Sequence, residues 1–364
     1  MEIKFCNAVL VTGSGILNNA SFSIEDGYFT NISVDNSGGY DLGGHIVIPG
    51  FIDSHIHGLE EYDFDDPDCD FEAAAARLKE LGTTSFFAAI SPFTALGERK
   101  KNYKSISCTS FEGFHLEGPY INPSKKGGFY EGQIRRYDPN EADDIFRQFN
   151  GQIRIVTAAP ECVHLPSLYG YARKYNFQLS AGHTQANLDI ADSAFHEGFT
   201  RATHLFNAMS GLDHRSPGIL EAVFLNDDVH CEIIVDLHHV SLQTLQILLR
   251  IKSIEKLTAV TDSVCADIPG ITVRDHMAYI GDIIYGSQRT MYDIFIILTQ
   301  KLHLSLPSAV KLTSVNVGKA LNLNTGDIAP GMKANFIIMD EEYRIGKVFV
   351  SSEFTIPNKE ILSF

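Results

Sequence analysis

The sequence has no C-x-x-C pair, no long apolar run and few cations. Its six cysteines, at positions 6, 69, 108, 162, 231 and 265, are scattered and read as reduced thiols in a cytoplasmic protein. A membrane helix needs about 20 consecutive apolar residues. The run Ile294-Phe295-Ile296-Ile297-Leu298-Thr299 is far shorter and core-like. The opening MEIKFCNAVLVTG lacks the charged and apolar regions and the cleavage site of a secretory signal, so none is expected. Lysine and arginine total 29 against 45 aspartates and glutamates, a formal net charge of -16. Such a balance excludes nucleic acid or an anionic membrane as the main partner. A small anionic substrate stays open, because a few local cations can hold one. Neither G-x-G-x-x-G nor a Walker pattern occurs, which removes the usual nucleotide-binding folds.

What is present is an ordinary globular composition over 364 residues, 44% hydrophobic and 20% charged. That length suits one large domain or two smaller ones. Both ends carry short alternating β segments between glycine and proline breakers, and they are expected to pair into one small β-sandwich domain (1–48 and 325–364). The middle, 49–324, has another rhythm. Apolar, β-branched runs at 45–53, 84–90, 111–117, 153–159, 177–181, 201–205, 230–236 and 256–261 read as strands. Helical patterns such as FEAAAARLKELG and LDIADSAFHEGF lie between them. Repeated β-α units imply a parallel sheet. Eight of them in about 250 residues predict an α/β fold of the (β/α)8 TIM-like barrel type, with an open doubly wound sheet as the alternative.

Barrel sites lie at the C-terminal ends of the strands, and the strand ends here are rich in metal-ligand types. His55 and His57 end the first, Glu117 the third, His183 the fifth, His204 the sixth and Asp262 the eighth. One such residue alone is usually structural, and a glutamate before Gly118-Pro119 suits a turn. The set is different. Residues two apart on a strand share a face, and four imidazoles with two carboxylates at one end suit zinc or iron. His115, two before Glu117, suits a supporting role behind the ligands. His164, His196, His276 and His303 fall in helical or loop contexts and read as solvated.

At these residues the chain resembles the amidohydrolase superfamily and, more narrowly, its N-acetylglucosamine-6-phosphate deacetylase family. PGFIDSHIHG, HLEGPYINPSKKG, AGHT, THLFNAM, HRSPG, VDLHHV and VTDS carry the resemblance in order, over nearly the whole chain. It implies a barrel with a small β domain from both termini. It implies one divalent metal on Glu117, His183 and His204, and a possible second on His55 and His57 with Glu117 bridging. Asp262 is then the general base, and the substrate is a phosphorylated amino sugar. Asn207, Ala208, Arg215 and His239 map to the phosphate site, Gly128, Phe129 and Ile284 to the sugar pocket. Homodimers are common in the family, part of the phosphate site coming from the neighbouring chain. Lys125 and Lys126 read as solvated loop lysines.

Three departures touch the substrate pocket. Phe129 stands where relatives place a sugar-contacting histidine. Asp236-Leu237-His238-His239-Val240 replaces D-G-x-H-V. The segment from Asp262 to Gly286-Ser287 is short. The expected reaction is therefore deacetylation of an N-acetylhexosamine 6-phosphate, first of all the glucosamine form. The galactosamine epimer, another N-acyl compound and a non-catalytic binding protein are the alternatives.

Overall fold

The computed structural model describes residues 2–35, 38–93 and 106–353. The apolar runs of the middle segment form eight strands: β1 (Phe51–Ile56), β2 (Thr83–Ile90), β3 (Phe111–Glu117), β4 (Ile153–Ala158), β5 (Gln178–Ala181), β6 (Phe199–Ala202), β7 (His230–Ile234) and β8 (Leu257–Val260). They follow one another in chain order across a single sheet. Every neighbouring pair from β2 to β8 is parallel. A parallel bridge between Ile56 and Ser263 brings the last strand back to the first, giving a nearly closed barrel. Strands buried on both faces show continuous apolar runs rather than alternation; all eight residues of β2 are buried.

Helices fill the crossovers, as the sequence predicts: Phe71–Glu80, Pro139–Gln148, Leu165–Tyr175, Leu188–Glu197, Ile219–Leu225 and Leu242–Ile251. Their ends are chemically marked. Asp138 accepts from Asn140 and Glu141 N–H, and Pro139 occupies the first turn, where its missing donor costs nothing. Asn187 caps Ile190, and Gly198 ends the same helix at φ 129°.

Two strands differ most from expectation, the others by no more than two residues at their ends. The run at 45–53 is split by Gly50: Ile46–Pro49 joins the terminal sheet and β1 begins at Phe51. A Cβ at Gly50 would lie 2.3 Å from Thr84 Oγ1, so only glycine fits there. The sixth strand runs Phe199–Ala202, so His204 stands beyond its end, in the bend that follows.

Strands from both ends of the chain share one seven-stranded sheet, running Ile345–Phe349, Phe336–Met339, Ile46–Pro49, Glu2–Thr12, Gly15–Glu25, Tyr28–Ser33, with Tyr40–Asp41 beside Glu2–Thr12. Phe5, Phe22, Phe29, Phe336 and Phe349 form its apolar centre. Residues 354–364, assigned above to the small β domain, lie outside the described residues. Two compact units divide the chain, with boundaries at Asp53/Ser54, Phe71/Glu72, Ser85/Phe86 and Arg289/Thr290. The terminal sheet lies in the first unit. The candidate site lies wholly in the second, Ser54–Phe71 and Phe86–Arg289. Among the described residues no helix is long and apolar enough to cross a membrane.

Candidate active site

Four imidazoles converge on one carboxylate at the C-terminal mouth of the barrel. Glu117 Oε1 lies 2.8 Å from His204 Nε2 and 3.0 Å from His183 Nε2. Its Oε2 lies 3.2 Å from His57 Nε2. The Nε2 atoms of His183 and His204 are 3.1 Å apart, and those of His55 and His57 3.3 Å apart. Asp262 Oδ1 is 3.5 Å from both His55 and His57 Nε2. His183, His204 and Asp262 have left-handed backbones (φ 48°, 28° and 49°), which non-glycine residues rarely adopt. Such strain gathers at functional sites. Gly182 admits the turn before His183, since a Cβ there would meet Thr157 Cγ2 at 2.7 Å.

The rings are oriented from behind. His183 Nδ1–H donates to the Lys125 carbonyl at 2.7 Å. His55 Nδ1–H donates to Glu232 Oε2 at 3.2 Å. In both rings this contact occupies Nδ1 and leaves Nε2 turned towards the other donors. Lone pairs this close repel one another unless protons or a cation lie between them, so the donor set fits a divalent metal. Among the described residues three groups lie close enough to share an ion, and two have this character: Glu117, His183 and His204, and His55, His57 and Asp262; in the third, His55, His115 and Glu232, the His55 Nδ1–H already donates to Glu232.

Electrostatics agree. Burial opposes the charge of Glu117, but His55 and His183 outweigh it and hold the carboxyl well below its usual range. Asp262 is likewise held low against burial, by His57 and His55. Burial works against protonating His57, yet Asp262 and Glu117 raise it to about 10. His115 is the reverse case: burial and the neighbouring His55 push it down to about 3. It donates from Nδ1 to the Ser54 carbonyl at 3.0 Å and accepts at Nε2 from Thr157 Oγ1 at 2.7 Å. Its ring lies against that of His55, centroids 4.4 Å apart.

A cavity of about 220 Å³ opens over the cluster. His57, Glu117, His183, His204 and Asp262 form part of its wall, and Gly128, Phe129, Asn207, Ala208, His239 and Ile284 another part. His239 donates from Nδ1 to Asp236 Oδ2 at 2.6 Å, and this partner raises its pKa in spite of burial. His238 is exposed, so the doubled histidine resolves into one that faces the cavity and one that does not. Arg215 is exposed and absent from the cavity wall. Phe129 packs edge-on against His183, ring centroids 5.2 Å apart.

The barrel, the ligand set and the cavity agree with a family match: the amidohydrolase family model covers residues 46–359. The chain belongs to the amidohydrolase family. It is 28% identical over 368 residues to the N-acetylglucosamine-6-phosphate deacetylase of Bacillus subtilis, covering 92% of each chain. Its fold matches a Mycobacterium smegmatis N-acetyl-D-glucosamine-6-phosphate deacetylase variant solved in complex with N-acetyl-D-glucosamine-6-phosphate (TM-score 0.88, 25% identity, 97% of this chain and 98% of that one). The Thermotoga maritima N-acetylglucosamine-6-phosphate deacetylase superposes with a TM-score of 0.83 at 26% identity, over 97% and 99% of the two chains. The family is metal-dependent, and this member carries side-chain clusters able to hold the metal.

Several contributors escape a sequence reading of this amidohydrolase. Lys125 is half-buried rather than a free loop lysine; its Nζ donates to the Met209 carbonyl at 2.9 Å, while its own carbonyl holds His183. Tyr285 reaches the cavity beside Ile284 from a three-stranded meander (Ile271–Arg274, Met277–Ile280, Ile283–Ser287); the Ile284-Tyr285-Gly286 match singles out Ile284 and not the tyrosine. Asp65, Ser91 and Gln133 add polar wall. Glu232 and Arg201, both fully buried, each put one charge into a barrel strand, and nothing in either strand says that the two pair.

Proposed function

We propose that this protein hydrolyses the N-acetyl group of N-acetyl-D-glucosamine 6-phosphate, releasing acetate and D-glucosamine 6-phosphate in amino-sugar catabolism. The observation that carries the reading is the convergence of Glu117, His183 and His204 with Asp262 at one cavity. Relatives of that name span most of the chain.

Glu117, His183 and His204 would hold one divalent cation, zinc or iron by their donor types. His55 and His57 would hold a second, Glu117 lying between the two positions. The cation supplies Lewis-acid activation of the amide carbonyl and of the attacking water. Asp262, kept ionised by its histidine neighbours, takes the proton from the water and returns it to the leaving nitrogen, which departs poorly unless protonated. His239, held by Asp236, and the backbone at Asn207 and Ala208 would bind the phosphate. Gly128, Phe129 and Ile284 would line the sugar, Phe129 as an apolar wall where relatives offer a histidine. Arg215, exposed and outside its own chain's cavity, suits a guanidinium offered to a neighbouring subunit's phosphate site in a homodimer. On this reading 49–324 is the catalytic domain, and 1–48 with 325–364 is a small β-sandwich domain. The acidic composition and the scattered cysteines, read as reduced thiols, suit a cytoplasmic enzyme.

The test measures bound metal and amine release from N-acetylglucosamine 6-phosphate, its galactosamine epimer and unphosphorylated N-acetylglucosamine. Fastest turnover of the first is expected. Equal rates without phosphate overturn the roles given to His239 and Arg215. Inactivity on all three, with metal bound, overturns the reaction.

A further inference from the structure

Glu232 is the one charged residue of β7, and its side chain is fully buried. Three groups converge on its carboxylate. Ser54 Oγ–H donates to Oε1 at 3.0 Å and Arg201 Nη2–H donates to Oε1 at 3.0 Å. His55 Nδ1–H donates to Oε2 at 3.2 Å. An ionised carboxylate only accepts, so this contact fixes the proton of His55 on Nδ1. Nε2 then faces the site, 3.3 Å from His57 Nε2 and 3.5 Å from Asp262 Oδ1.

Arg201 makes little sense as a stabilising residue. It is fully buried, yet among the described residues its Nε and Nη1 have no hydrogen-bond partner. A buried ion pair so incompletely satisfied is commonly no better for stability than apolar packing. Its evident effect is to keep an acceptor-only carboxylate behind His55. The other cluster is oriented differently, since the Lys125 carbonyl holds His183. The two cation positions therefore have separate supports.

We propose that Glu232, clamped by Arg201 and Ser54, is a positioning residue that presents His55 Nε2 and thereby decides whether the His55/His57 position binds a cation. The inference rests on the two-cation reading above. Glu232 touches no reacting atom; it acts through His55.

Zinc titration of the chelator-stripped protein by calorimetry, with metal analysis of the same samples, tests it. The parent is expected to bind two ions per subunit. Glu232→Gln should keep the ion on Glu117, His183 and His204 at parental affinity and weaken the other by about 10–100-fold, the usual effect of losing such a support. Cobalt substitution gives a second readout, the visible absorption of the second ion disappearing at sub-saturating metal. Parental affinity at both positions in Glu232→Gln overturns the proposal, as does equal weakening of both. A parent that binds one ion, unaffected by His55→Ala, overturns the two-cation reading and the positioning role with it. Should Glu232→Gln not fold, Ser54→Ala removes one of the three hydrogen bonds. Weaker binding of the second ion alone then supports the role, and unchanged binding overturns it.

Discussion

The backbone N–H of Asp262, just past the last barrel strand, donates to the carbonyl of His55 in the first, at 3.0 Å. The bond closes the barrel seam, while the Asp262 carboxylate points at the His55 and His57 rings. Closure and chemistry thus share a residue but use different atoms of it. Asp262→Asn leaves the main-chain bond intact and removes the base. The fold and most of the metal, that on Glu117, His183 and His204, are expected to be kept, with kcat lower by at least about 100-fold, the low end for general acid–base catalysis. Steady-state assays beside a melting curve decide it, and near-parental turnover removes Asp262 from the role.

Much of this arrangement is legible before folding, for a physical reason. Strands buried on both faces must be apolar throughout, so a histidine or acid at their ends stands out. That exposes His55, His57, Glu117, His183, His204 and Asp262, all of which meet in the structure. Residues whose meaning depends on tertiary partners do not stand out. Glu232 and Arg201 sit on neighbouring strands and signify only as a pair. Tyr285 arrives from a meander whose turns bear no relation to the barrel repeat. The Lys125 carbonyl is a main-chain group, and no side-chain pattern marks it.

Gly128 and Tyr285 form a close pair in the cavity wall. A Cβ at position 128 would lie 2.5 Å from Tyr285 Cδ2, so alanine displaces the ring. Overpacking of this kind costs about 1–3 kcal/mol. Gly128→Ala is expected to raise KM with metal content unchanged. The double variant Gly128→Ala/Tyr285→Ala should lose less than the sum of the single losses, because the clash is gone. Strict additivity in kcat/KM would show that the two positions act independently.

Metal uptake is expected to release protons. His57 is raised to about 10, and Glu117 and Glu232 hold His55 well above its ordinary value, both against burial. Rings with raised pKa values keep their protons at neutral pH, whereas a cation requires them neutral. Adding zinc to the stripped protein in weak buffer should therefore acidify the solution, and zinc affinity should fall as pH drops from 8 to 6. An affinity independent of pH across that range refutes the competition.

His230 predicts an acid-sensitive contribution to stability away from the metal ligands. Burial and then the charges of Arg201, Lys256 and Lys252 push its pKa down to about 4. The Lys256 ammonium donates to its Nε2 at 3.5 Å, which requires a neutral ring. The unfolded chain takes up the proton near the ordinary value of about 6.5. The depressed folded pKa sets the sign: the contribution is complete above pH of about 6.5 and is lost as pH falls towards about 4. His230→Gln cannot take up that proton. Between pH 7.5 and 5 the parent should lose more in Tm than the variant, whatever their difference at pH 7.5. Parallel losses in the two proteins would assign the acid sensitivity to other groups.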